Sequence, residues 1–321
     1  MIMKTMIINK IVSAFKAVIL TPLLLGGVGG GLLTACYHDD HEFQHNEFDG
    51  NPVGYVAAQL VWDDEADASA TSSLNAISVY VQGANGVSRT SSFKSVEECA
   101  DWLQQLPVGE YDILVTANMD EPSGYQLTSV GSPAGNLLTP TSVSLSEPAS
   151  SPRQSWYAVT HVTIAENKIT VAEVRLQRLL PTLDITIGNM PEGYSISAQI
   201  EHVAQSILLT SKDEANRYGV VSDEELTIDF GQMSSDGSTF SLNKRFMPTA
   251  ASQERTIIHL YLVTPQGIEQ DCTIDAPRML IGHDYKLNLS YDDIHPYMYI
   301  QSTDVNEWEV GSTLDGGQVT E

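Results

Sequence analysis

Apolar and polar residues alternate with a period of two through most of the chain beyond residue 52, which marks half-buried strands. Val53 to Trp62 is the first such stretch. Over Ala76 to Gln82, Ile77, Val79 and Val81 alternate with Ser78 and Tyr80, and the turn Gly83-Ala84-Asn85-Gly86 follows. Gly109 to Asn118 reads as a strand, as do Trp156 to Ala165 and Ile169 to Gln177 on either side of the tight turn Glu166-Asn167-Lys168. The pattern resumes at Leu183 to Ile187, near Leu226 to Phe230 and over Thr239 to Phe246. Thr256 to Thr264 connects through Pro265-Gln266-Gly267 to Ile268 to Ile274, and His283 to Tyr291 is the last clear strand. Ile196 to Leu209 reads as extended or bent.

A single stretch has a helical period. Ser95 and Glu98 make a capping box, Val96, Cys99, Leu103 and Leu106 line one face, and Pro107 stops the helix. Trp102 beside that stripe reads as packing. Residues 120 to 152, rich in Ser, Pro and Gly, read as a long loop. Short strands with turns every ~8–12 residues predict an all-β protein of two tandem β-sandwich domains, with one short helix in the first. The domains are 53–179 and 180–311, meeting at Leu179-Leu180-Pro181, with a polar tail at 312–321.

The first 35 residues follow another rule. They hold Lys4, Lys10 and Lys16 but no acid, then an apolar run, then glycines and small residues, the layout of a secretory signal. Pro22 and the glycines from Gly26 to Gly31 make a poor membrane helix. Gly27 to Leu32 lacks the last glycine of a dinucleotide loop and follows no strand. Leu33-Thr34-Ala35-Cys36 resembles the processing site of bacterial lipoproteins, which implies that Cys36 becomes the first mature residue and carries acyl chains.

Charge sharpens this picture. Without residues 1–35 the chain has 286 residues, with 13 basic against 41 acidic side chains and a net charge near −28. Such acidity excludes nucleic acid as a partner and excludes electrostatic attachment to anionic lipid, leaving covalent acyl chains to hold a membrane. Of the three cysteines, Cys99 and Cys272 remain for an oxidising compartment. A disulfide and two buried thiols are the alternatives, and their placement in separate domains favours the thiols.

Two stretches invite metal chemistry. His41-Glu42-Phe43-Gln44-His45 matches the H-E-x-x-H pattern of zinc proteases, which needs a helix anchored in a core so that both histidines meet one ion. Here the flanks are Tyr-His-Asp-Asp and Asn-Glu-Phe-Asp-Gly-Asn-Pro, so Gly50 and Pro52 end any helix and almost nothing could anchor it. Residues 36–52 therefore read as an acidic tether and not a zinc site. Asp63, Glu65 and Asp67 have calcium-loop spacing, but Ala68 stands where the turn needs glycine, so a solvated turn is preferred. No G-x-S-x-G elbow occurs, and no carboxylate or thiol has a recognisable catalytic setting, so the chain reads as no enzyme and needs no cofactor.

Taken together, the lipobox at Cys36, Ala76 to Val81 with Asn85-Gly86, Gly109 to Asn118, Val174 to Leu179, Tyr285 to Leu289 and Val305 to Trp308 resemble the fimbrillin-like lipoproteins of Bacteroidales, especially anchor and accessory subunits of type V fimbriae. The resemblance implies transthyretin-like sandwiches and a place on the outer-membrane surface, to which acids after the lipobox such as Asp39, Asp40 and Glu42 direct lipoproteins. It implies fimbrillin-type partners joined by strand exchange at an exposed sheet edge. Shaft subunits of that family are cut by a protease, whereas the anchor keeps its lipid. Arg89 and Arg153, both read as lying in loops, leave a shaft or tip role open. The alternative function is a surface glycan-binding lipoprotein using Trp62, Trp156, Tyr297 and Tyr299.

Overall fold

The turn Gly83 to Gly86 folds the chain back on itself. Gly86 takes φ of +81°, a conformation that L side chains rarely adopt, and Asn85 Oδ1 accepts from the Val87 amide at 3.1 Å. The outcome is a hairpin of two strands. The computed structural model describes residue 48, residues 50–62, 74–129, 138–211 and 218–294, and the backbone of 303–304 and 309–310.

The first nine strands are β1 (Val53–Trp62), β2 (Ile77–Gly83), β3 (Ser88–Phe93), β4 (Leu103–Pro107), β5 (Gly109–Ala117), β6 (Tyr125–Ser129), β7 (Thr141–Leu145), β8 (Trp156–Ile164) and β9 (Ile169–Arg178). Helix α1 (Val96–Ala100) lies between β3 and β4. Seven of these strands form one sheet in the order β3-β2-β5-β8-β9-β1-β4. β8 and β9 pair at only two positions, Trp156 with Arg178 and Tyr157 with Gln177. β1 then runs parallel to β9 and antiparallel to β4. Alternate residues of both arms, among them Val79, Ile113, Val115, Val56, Ala58 and Val174, enter one core, so the bent sheet closes into a sandwich.

The remaining strands are β10 (Thr182–Gly188), β11 (Ser195–Ala204), β12 (Ser206–Leu208), β13 (Val220–Val221), β14 (Glu225–Gln232), β15 (Ser234–Asp236), β16 (Thr239–Arg245), β17 (Arg255–Val263), β18 (Glu269–Pro277), β19 (Asp284–Ser290), β20 (Thr303–Asp304) and β21 (Glu309–Val310). A short helix, α2 (Tyr291–Ile294), follows β19. Two five-stranded sheets result, β15-β16-β10-β19-β21 and β14-β11-β17-β18-β20. Their inward residues, such as Ile185, Leu287, Ile200 and Leu260, fill a second core. The protein is all-β and built of packed sheets.

A fourth sheet, β13-β12-β7-β6, takes two strands from each half of the chain. Ser206, Ile207 and Leu208 pair with Ser144, Val143 and Ser142. The second core continues through Val143 and Tyr125 to Leu114 and Tyr157 on the outer face of the first sheet. Arg178 Nη1 adds a pair of contacts to the Asp284 carboxylate at 2.8 and 2.9 Å, which ties the end of β9 to the start of β19.

Three expectations need correction. The helix stops at Ala100 rather than running to Leu106, because Leu103 to Pro107 pair with Val53 to Ala57 of β1. The cap itself forms: Ser95 Oγ accepts from the Glu98 amide at 3.3 Å, and Glu98 reaches back to the Lys94 amide at 2.7 Å. Five residues of weak local helix lose to a sheet ladder. Residues 120–152 are not one loop, since they contain β6 and β7 and two short 3-10 turns. Arg89 is not in a loop but within β3, opposite Val81.

Candidate assembly surface

The outer face of the first sheet meets β6 and β7, and a cleft of about 370 Å³ opens where they diverge. Tyr80, Leu114, Leu127 and Leu138 give it an apolar floor, with Ser88 and Thr90 of β3 at the rim. Gln82 helps set the spacing, because its Oε1 accepts from the Thr139 amide at 2.7 Å and from its hydroxyl at 3.0 Å. No charged side chain lines the cleft among the described residues.

The end of the β2–β3 hairpin is held from below. Tyr111, fully buried in β5, donates from its hydroxyl to the Pro107 carbonyl at 2.9 Å and accepts from Asn85 Nδ2 at 2.8 Å. Gly83 makes room for that ring: a Cβ there would come within 2.4 Å of it.

A histidine lies farther along the same outer face. His161 of β8 bridges Asp112 at 2.8 Å and Glu110 at 2.5 Å, both on β5, and Thr163 also bonds to Glu110. The Asp112 hydrogen bond raises the His161 pKa above its usual value, and the His161 bond lowers that of Glu110. Two carboxylates with a half-exposed imidazole make a pH-sensitive surface pair, not a metal site. Among the described residues no group of three or more His, Cys, Asp or Glu could hold an ion. Cys99 and Cys272 are both free and buried, in different cores, and burial pushes each thiol up to about 11.

A family model described as "Fimbrillin-A associated anchor proteins Mfa1 and Mfa2" matches residues 52–312. The chain belongs to this family. Comparison with curated proteins finds no match. Among solved structures, one from Bacteroides thetaiotaomicron described as a polysaccharide-binding protein is 15% identical, with a TM-score of 0.49 over 74% of this chain and 92% of that one. The fimbrial anchor protein Mfa2 of Porphyromonas gingivalis is 14% identical, with a TM-score of 0.48 over 73% of this chain and 90% of that one. A structure from Bacteroides ovatus described as an adhesin is 12% identical, with a TM-score of 0.49 over 88% of this chain and 99% of that one.

The residues singled out in the sequence fall unevenly on this member of the anchor family. Cys36, the His41-to-His45 stretch, the Asp63-Glu65-Asp67 loop, Tyr297 and Tyr299 lie outside the described residues. Trp156 is corrected: it is buried to 1% exposure and packs edge-on against Trp62 at 5.9 Å, so it offers no sugar platform. Trp102 is packing, as read, with its indole donating to Ser91 Oγ at 3.2 Å and its ring edge-on to Phe93. Arg153 is exposed in a loop, but its carbonyl accepts from the Tyr125 hydroxyl and its amide donates to Ser123. Missed altogether was β3, whose sequence Ser-Arg-Thr-Ser-Ser-Phe has no apolar alternation. The Asn85-Gly86 turn was the signal that a partner strand had to follow.

Proposed function

We propose that this member of the anchor family is a lipoprotein of the outer-membrane surface. Acylated Cys36 holds it there, residues 36–52 are its tether, and 53–179 and 180–311 are its two sandwiches. It acts as a fimbrial anchor or accessory subunit, joined to fimbrillin-type subunits by β-strand addition. The observation that carries this reading is the family match over residues 52–312.

The distribution of basic residues supports the anchor role over a proteolysed one. Between Lys16 and Arg89 the chain contains no Lys or Arg. A trypsin-like protease therefore has no site between the lipidated cysteine and β2, and Arg89 itself is within a paired strand. β1 stays attached to Cys36, and the lipid stays attached to the fold.

The test is a strain lacking the protein. It should still make fimbrial subunits but shed fimbriae into the medium, and the full chain should restore attachment where a chain starting at residue 37 does not. Normal cell-bound fimbriae in the deletion strain would sink the reading. Labelling with a palmitate analogue checks the lipid separately: Cys36→Ser should abolish it, and unchanged labelling would refute acylation at Cys36.

A further inference from the structure

A sheet edge left unprotected is a template for another chain, and folded proteins blunt their edges with proline, bulges, charge or short length. Most edges here are blunted. Among the described residues β13, β20 and β21 are two residues long and β15 is three. β14 pairs with β11 through two register shifts and carries Glu225 and Asp229. β4 ends in Pro107, and Gln104 Nε2 donates to the Gln105 carbonyl at 3.0 Å. β6 spends its Tyr125 amide on the Asp120 carbonyl.

β3 carries one charge, Arg89, whose Nη1 donates to the Ser88 carbonyl at 3.2 Å, and none of the other devices. It is six residues long, pairs only with β2 among the described residues, and contains no proline, bulge or acid. The bond from the Gly83 amide to the Val87 carbonyl sets the alternation, so Arg89, Ser91 and Phe93 bond to β2. The amides of Ser88, Thr90 and Ser92 then point away from the sheet. Their side chains lie on the same face as Tyr80 and Gln82, and Ser88 and Thr90 line the cleft.

We infer that β3 is the edge at which a partner subunit adds an extended strand, and that alternate side chains of that strand enter the cleft. This rests on the strand-addition reading above and supplies the place. Outward backbone amides are matched by another extended backbone rather than by a face or a helix. In a chain of net charge −25 the cleft lining is uncharged, so the partner residues that enter it are uncharged, aliphatic or small.

The experiment immobilises the full-length lipoprotein in detergent and uses as probe fimbriae purified from the cells that make it. Thr90→Pro removes an outward amide without touching the β2 ladder and should lower the fimbriae retained by about tenfold or more. Thr90→Lys, which puts a charge at the rim, should do the same, and Thr90→Val should retain fimbriae within about twofold of the native chain. The melting temperature shows which variants are folded, and if Thr90→Pro is not, Thr90→Lys decides. Native-level retention by the folded variants would overturn the assignment to β3 while leaving the anchor reading intact. Failure of the native chain itself to hold fimbriae would refute both.

Discussion

Removing one oxygen from Tyr111 tests how the hairpin that carries β3 is held. In Tyr111→Phe the ring still fills its site, so no cavity forms and the loss is confined to two hydrogen bonds. Pro107 is buried, and its carbonyl, which accepts at 2.9 Å, would be left without that donor. Asn85 is exposed, and its amide, now 2.8 Å from the hydroxyl, can turn to water. One buried unsatisfied acceptor costs about 1–3 kcal/mol, and the exposed partner adds little. At roughly 2–4 °C per kcal/mol for a chain of this size, the melting temperature should fall by several degrees. Urea unfolding of Tyr111→Phe, Asn85→Ala and the double variant measures the linkage directly. The two changes should be non-additive by about 0.5–1 kcal/mol, since each removes the shared bond. A loss under about 0.3 kcal/mol in Tyr111→Phe would show that the carbonyl is satisfied in some other way.

Further outcomes are expected elsewhere. Cys99 and Cys272 should resist alkylation at about pH 8 in the native chain starting at residue 37 and react together on unfolding, because burial raises both pKa values to about 11; rapid labelling of either in the native state would show that its core opens. His161 has a raised pKa, so its contribution is present below its unfolded value and fades as pH rises through the folded one, whereas Glu110, lowered, contributes above its unfolded value and fades on acidification. Mildly acidic conditions between those two limits therefore favour the pair most, and His161→Gln should lower the melting temperature more near pH 5.5 than near pH 8.5; equal shifts at both would show that the pair adds nothing to folding. Trp156→Phe should destabilise the chain and give the same profile on a glycan array as the native chain, because the indole lies in the core.

Strands buried on one face were legible from the chain alone. Val53 to Trp62 buries every second residue as far as Ala58, and the observed strand has the expected limits. Ile77 to Gly83 and Ile169 to Arg178 follow the same rule. Where the pattern failed, the residues sit at a sheet edge or between the halves. β3 presents hydroxyls to both faces, and β6 and β7 bury few side chains of their own. Leu103 to Pro107 has the spacing of a helix and became a strand because β1 lay beside it.

By itself, the sequence determined the all-β class, the capped turn at Ser95 and the acidity, because each follows from local periodicity, local hydrogen bonding or composition. Only the tertiary structure decided that the first sheet bends into its own sandwich, that a fourth sheet draws strands from both halves, and which edges stay unprotected. Those features depend on which strands meet across ~40–100 residues of chain, and pairing at such distances is set by the whole core rather than by any window of residues. The candidate surface belongs to that second class. Thr90 and Leu127 are unremarkable in sequence and become a rim and a floor only when β3 and β6 are brought to the same cleft.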